Sequence, residues 1–157
     1  MKKVILSLLT LALVTGISSS ALATEKIKET EVKPLAAIFY DREPNDKPEQ
    51  ANPYMIGGQI NGELTWDVDR TDWYTFTPTR SGKVSLVFAY SKGFKNTLEL
   101  HVSTSNRLKT PIVHTENPGE VLQLDVEAGK KYYICVDSVI RNSDFRHDYN
   151  VYTEYIN

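Results

Sequence analysis

KVSLVFAY, residues 83–90, puts Val84, Leu86, Phe88 and Tyr90 on one side of an extended chain. The same period of two recurs in TLELHVS (Leu98, Leu100, Val102), VLQLDV (Leu122, Leu124, Val126) and YYICV (Tyr132, Ile134, Val136). Successive side chains of a strand point to opposite faces, so each segment predicts a strand with one face in a core. Gly, Pro or Asn interrupts the pattern about every eight to twelve residues, as short strands require. Asn117-Pro118-Gly119 reads as a turn and Ala128-Gly129 as a tight connection. Residues 56–60, 73–76, 112–114 and 149–155 bring the count to about eight strands, with no amphipathic helix after residue 40. The fold class this predicts is all-β, an antiparallel β-sandwich of jelly-roll type.

The chain before Pro34 has a different texture. MKKVILSLLTLALVTGISSSALATEK carries Lys2 and Lys3, an apolar run over residues 4–14, and small residues ending in Ala21-Leu22-Ala23. This is the pattern of a cleaved secretory signal, residues 1–23, with an apolar run too short to span a bilayer. A charged segment follows and is expected to be a flexible leader, residues 24–40, ahead of a single domain over 41–157. Removing 23 of the 157 residues leaves 134, and losing the two lysines takes the formal net charge from -2 to -4. A mildly acidic chain with no Lys/Arg cluster argues against nucleic acid or an anionic membrane as partner, and leaves cations open. Cys135 is the only cysteine, so this expected extracellular fold has no internal disulfide, and its stability must come from packing or from something bound.

Oxygen-bearing side chains concentrate in two places. DREPND, residues 41–46, holds Asp41, Glu43, Asn45 and Asp46, and WDVDRTDWY holds Asp67, Asp69 and Asp72 just ahead of a strand. In an extended segment residues 41, 43 and 45 share a side. Two such loops could supply the six to eight oxygens, roughly, that a calcium ion takes, without His or Cys. The same residue types also build ordinary solvated turns. DREPND has neither the spacing nor the glycine of an EF-hand loop, so spacing alone leaves both readings open.

EPND (43–46), INGEL (60–64), DVDRTDWYTF (67–76), SGKVSL (81–86), EAGKKYYICV (127–136) and a closing DYNVY form an ordered series. Together they resemble the bacterial pre-peptidase C-terminal domain, over most of residues 41–155. That family consists of β-sandwiches attached to secreted peptidases, and includes the collagen-binding domains of clostridial collagenases. The resemblance implies calcium held between an acidic N-terminal linker and an Asp-x-x-Asp element. By position, the ligands it implies are Asp41, Glu43, Asn45 and Asp46 in the linker, with Asp69 and Asp72 in the second element. Asp41 stands where calcium-binding relatives tend to carry Glu, and Arg42 and Arg70 place positive charge beside the site.

Catalysis finds no constellation in the sequence. His101, His114 and His147 are dispersed, HExxH and GxSxG are absent, and Cys135 lacks a protease context, so the chain is expected not to be an enzyme. Cys135 alternates with Ile134 and Val136 and is expected to be a partly covered apolar residue. Tyr133 and Tyr152 fall opposite the core positions of their strands. They would form one ligand-binding face if those strands are neighbours, as the aromatic sheet face of the collagen-binding relatives implies. The function this predicts is a secreted, calcium-stabilised binding module for an extracellular polymer or protein, such as a collagen-like matrix. The alternative is an accessory domain that associates with a secreted peptidase.

Overall fold

The computed structural model describes residues 36–65, 68–91, 93, 96–105, 110–140 and 146–156. The expected signal segment, most of the leader, and Asp67 lie outside these residues. Ten strands are present among them, all within the unit Pro34–Asn157. They are β1 (Ile38–Tyr40), β2 (Asn52–Pro53), β3 (Gln59–Thr65), β4 (Thr71–Phe76), β5 (Gly82–Tyr90), β6 (Leu98–Ser103), β7 (Val113–Thr115), β8 (Val121–Val126), β9 (Tyr132–Ser138) and β10 (Arg146–Ile156). The first sheet is ordered β1-β3-β10-β5-β8 and the second β2-β4-β9-β6-β7.

Among themselves, strands β3 to β10 pair only antiparallel, and the chain changes sheet at every connection between them except β6 to β7. That is the expected jelly-roll sandwich. Two further pairings are parallel, β1 with β3 and β2 with β4, so both sheets are mixed rather than wholly antiparallel. The two extra strands come from residues 38–53, which lack period-two alternation. Short strands at a sheet edge are held by backbone hydrogen bonds on one side and need bury no alternating face, which is why the hydrophobic pattern does not reveal them. Residues 38–40, expected as the end of a flexible leader, are therefore part of the first sheet. Among the described residues no helix is long and apolar enough to cross a membrane.

The core lies between the sheets where the alternation puts it. Val84, Leu86, Phe88, Leu98, Leu100, Val102, Leu124, Val126, Tyr132, Ile134 and Val136 are at most 4 % exposed. Cys135 is more enclosed than expected: it faces away from this core yet is buried, free of any disulfide, opposite Trp73 on β4 and His101 on β6. Burial first, then nearby carboxylates, push its thiol up, so it stays a thiol. The β6–β7 register also sets His101 directly opposite His114, bringing together two histidines that the sequence disperses.

The connection between β8 and β9 carries the chain from one sheet to the other through Gly129, at φ +77°. A Cβ there would meet nothing within 4 Å, so only the backbone conformation resists a side chain. Gly129→Ala is expected to cost about 1 kcal/mol. Urea unfolding checks this: the midpoint falls while the slope is unchanged.

Candidate metal centre

Residues 41–46 leave β1 at the edge of the first sheet and lead to β2 at the edge of the second, so the stretch crosses between the sheets. It is fastened to both. The Asp41 amide donates to the Asn61 carbonyl on β3 at 3.0 Å, and the Trp73 amide on β4 donates to the Asn45 carbonyl at 3.0 Å. Within the stretch, Asn45 Nδ2 donates to Asp41 Oδ1 at 2.6 Å and the Asn45 amide donates to Glu43 Oε2 at 3.0 Å. Asp69 is placed by a two-way backbone bridge to Thr65 at the end of β3, with N–O distances of 2.8 and 2.9 Å. Asp72 occupies a core-facing position of β4, the face it shares with Tyr74 and Phe76 by the period of two.

These placements gather one carboxylate oxygen from each of Asp41, Glu43, Asp69 and Asp72 within 4.8 Å of one another. Asp72 and Asn45 are 0 % exposed. The Tyr149 hydroxyl donates to Asp72 Oδ2, Tyr74 and Tyr149 hydroxyls share a hydrogen bond at 2.7 Å, and the Tyr74 hydroxyl also lies 3.2 Å from Asp41 Oδ1. Tyr149 is seated by Gly62, where a Cβ would overlap its ring. Three oxygens of these and the adjoining residues, Asn45 Oδ1, Asp69 Oδ1 and Asp72 Oδ1, are buried with no hydrogen-bond partner.

Crowding so many acids into a covered place shifts their protons. Burial, then the charge of Glu43, pushes Asp69 up to about 8. Burial, then the charge of Asp41, pushes Asp72 up to about 9 against the opposing Tyr149 hydrogen bond. Asp41 is also raised, by burial and then by Glu43. Buried oxygens without donors and carboxylates that resist ionisation both carry a free-energy cost that a cation removes. The convergent donor set is all oxygen, four carboxylates, which is the chemistry of a hard divalent cation and fits calcium. Asp41, Glu43, Asp69 and Asp72 are the residues that would hold it, with Asn45 beside them.

Of the six expected ligands, the four carboxylates Asp41, Glu43, Asp69 and Asp72 converge, and Asn45 adjoins them through its Nδ2 contact to Asp41. Asp46 does not: it is exposed and outside the four-carboxylate group, and acts on the site only through its charge on Asp69. It lies in the bend that follows Asn45, beyond the backbone bond that ties Asn45 to Trp73. Arg42 is exposed, and Asn52 Nδ2 donates to its carbonyl at 3.0 Å, while the Arg70 guanidinium reaches the Ser138 carbonyl at 3.5 Å. Tyr74 and Tyr149 were not among the expected site residues. The signal for Tyr74 was in the sequence, since residues 72 and 74 of one strand share a face; the pairing that brings Tyr149 against Asp72 was not.

The expected tyrosine face does not form. Tyr133 lies on β9 of the second sheet and Tyr152 on β10 of the first, each on the outward side, so the two point out of opposite faces of the sandwich. Tyr133 is partly buried, edge-on to Trp73 at 6.1 Å, whereas Tyr152 is 41 % exposed. The β10 register puts Tyr152 between Gln59 and Val87, in a row that continues to the exposed Val121. Beside it Gln59 Nε2 donates to Asn61 Oδ1, which also accepts from Asn150 Nδ2 at 2.7 Å.

No family model matches the chain, and no curated protein matches it in sequence. Solved structures do match. The chain is similar to the pre-peptidase C-terminal domain of a collagenase from Bacillus anthracis, with a TM-score of 0.53 and 17 % identity, over 73 % of this chain and 100 % of that one. It is also similar to PliG from Aeromonas hydrophila, a periplasmic inhibitor of g-type lysozyme, with a TM-score of 0.52 and 16 % identity, over 78 % of this chain and 100 % of that one. At such identities the likeness is one of fold. The sandwich, built on the ordered series of motifs from EPND to DYNVY, is the fold of a pre-peptidase C-terminal domain.

Proposed function

We propose that this chain is a secreted, non-catalytic, calcium-stabilised binding module that engages an extracellular polymer or protein. The observation that carries the reading is the four-carboxylate group at the crossing between the sheets, anchored by the buried Asp72, with buried oxygens in and beside it that no donor satisfies. Carboxylates held this close repel one another, and a divalent cation among them turns that repulsion into a tie between residues 41–45 and the β3–β4 connection. Ordering this crossing also fixes β1 against β3, and with it the edge of the first sheet. The binding face is the outward side of that sheet around Tyr152, where an exposed ring stands beside the amides of Gln59, Asn61 and Asn150. An aromatic ring flanked by amides offers apolar area and hydrogen bonds together, a combination suited to peptide or sugar chains.

Tyr152→Ala tests this face. In calcium, retention of the protein on insoluble collagen or bacterial cell-wall material falls by about fivefold or more, the loss of a contact of about 1 kcal/mol or above. The thermal midpoint stays within about 1 °C, because the residue lies outside the core. Equal retention of wild type and variant on every polymer removes Tyr152 from the function. A second reading, a soluble protein partner such as a secreted enzyme, is favoured by the fold likeness to a lysozyme inhibitor and to a domain of a collagenase. It predicts co-purification with one stoichiometric protein instead of retention on a polymer.

A further inference from the structure

Far from the acidic crossing in sequence, the outward face of the second sheet carries a group of a different chemistry. Glu99 and His101 lie two residues apart on β6, on the same face, and His114 stands opposite His101 on β7. Both imidazoles turn toward one carboxylate oxygen: Glu99 Oε2 is 3.0 Å from His101 Nε2 and 3.7 Å from His114 Nε2. The two rings stack at 4.7 Å between centroids and 25° between planes. One donor atom from each of the three residues lies within 4.8 Å of the others.

We propose that Glu99, His101 and His114 form a binding site for a divalent transition cation of the zinc class, separate from the oxygen site at the sheet crossing. Ligands about 2.0–2.2 Å from a tetrahedral zinc stand roughly 3.3–3.5 Å from one another. The observed separations of 3.0 and 3.7 Å bracket that spacing, so side-chain adjustments of a few tenths of an ångström suffice. Two imidazoles with one carboxylate suit zinc, copper or nickel and not calcium, whereas the all-oxygen crossing has the opposite preference. Glu116 supplies the fourth donor: its Oε1 lies 3.8 Å from His114 Nε2, on a side chain exposed enough to swing inward.

Two features of the surroundings support the assignment. The side chains of Glu99 and His101 are 24 % and 13 % exposed, covered enough to hold a fixed geometry, while His114 at 38 % leaves an entry path. That path opens on a polar hollow of about 420 Å³ lined by Asn96, His114, Thr115, Glu116, Asn117 and Glu120. Bound metal would tie the three-residue edge strand β7 to β6, which otherwise holds it by one short ladder.

Calorimetric titration of the purified protein with zinc chloride, in saturating calcium so that the oxygen site is filled, tests the proposal. One zinc per chain is expected, and both His114→Gln and Glu99→Gln should weaken it by at least about a hundredfold, since outer-shell partners alone are worth about 10- to 100-fold. Asp72→Asn, which disables the calcium site, should leave zinc binding unchanged. Absence of stoichiometric zinc binding, or binding that His114→Gln and Glu99→Gln both leave intact, overturns the site. So does zinc binding that disappears in Asp72→Asn, because it places the metal at the crossing instead.

Discussion

Millimolar calcium is expected to raise the thermal midpoint of the EDTA-treated protein by on the order of 10 °C, and Asp72→Asn to abolish that rise. At about a hundred times its dissociation constant, a ligand of the native state alone adds roughly 2.7 kcal/mol, and a domain of this size gains a few degrees for each kcal/mol, roughly. The substitution is chosen for its sign in the absence of calcium. Asp72 is fully buried, accepts the Tyr149 hydroxyl through Oδ2, and leaves Oδ1 without a donor among other acids. An asparagine there keeps the acceptor for Tyr149, replaces an acid that has to hold its proton up to about pH 9 with a neutral amide, and points an N–H₂ at the neighbouring carboxylates. In EDTA at neutral pH the variant is therefore expected to be at least as stable as wild type, and in calcium less stable than wild type. A merely structural aspartate predicts a variant destabilised equally in both conditions. Magnesium is the control: its smaller shell demands near-ideal octahedral geometry, so it should give a much smaller shift than calcium.

What was legible in the sequence follows what each kind of signal encodes. The strands with one buried face, such as β5 and β6, announce themselves, because burial forces Val84, Leu86 and Phe88 or Leu98, Leu100 and Val102 into alternation. Edge strands β1 and β2 have no such constraint, so residues 38–40 read as leader although they pair with β3. The acid groups of the crossing were legible by composition and by resemblance, since residues 41, 43 and 45 share a side and Asp69 and Asp72 sit at the entry to a strand. What composition could not supply is which sheet each strand joins. That choice set Tyr133 and Tyr152 on opposite faces, brought Tyr149 onto Asp72, and stacked His101 on His114. Each of these is a contact between residues distant along the chain, fixed by strand order and register and not by local pattern.

The same crossing predicts how stability responds to pH. Without calcium, stability falls as pH rises from about 4 to about 9; with calcium, that fall is abolished or reversed. The folded protein holds the Asp69 and Asp72 protons up to about 8 and about 9, and the unfolded chain releases them near the ordinary value of 3.8. Between those limits the native state binds more protons than the unfolded state, so the slope of unfolding free energy against pH is negative. Raised folded-state values thus contribute stability that is fully present below about pH 4 and lost as each group ionises in place. Asp41, raised for the same reason, adds to the trend. Calcium needs the ionised carboxylates, so protons and cation compete for one set of oxygens, and the calcium-dependent rise in midpoint should be small at pH 5 and largest near pH 8. Thermal unfolding at half-unit pH steps, with EDTA and with calcium, gives two curves that diverge with rising pH. Parallel curves would mean that the acid group does not change protonation on binding, and would sever the link between the raised carboxylates and the metal. Asp72→Asn should flatten much of the EDTA curve, because it removes the group whose proton is held to the highest pH.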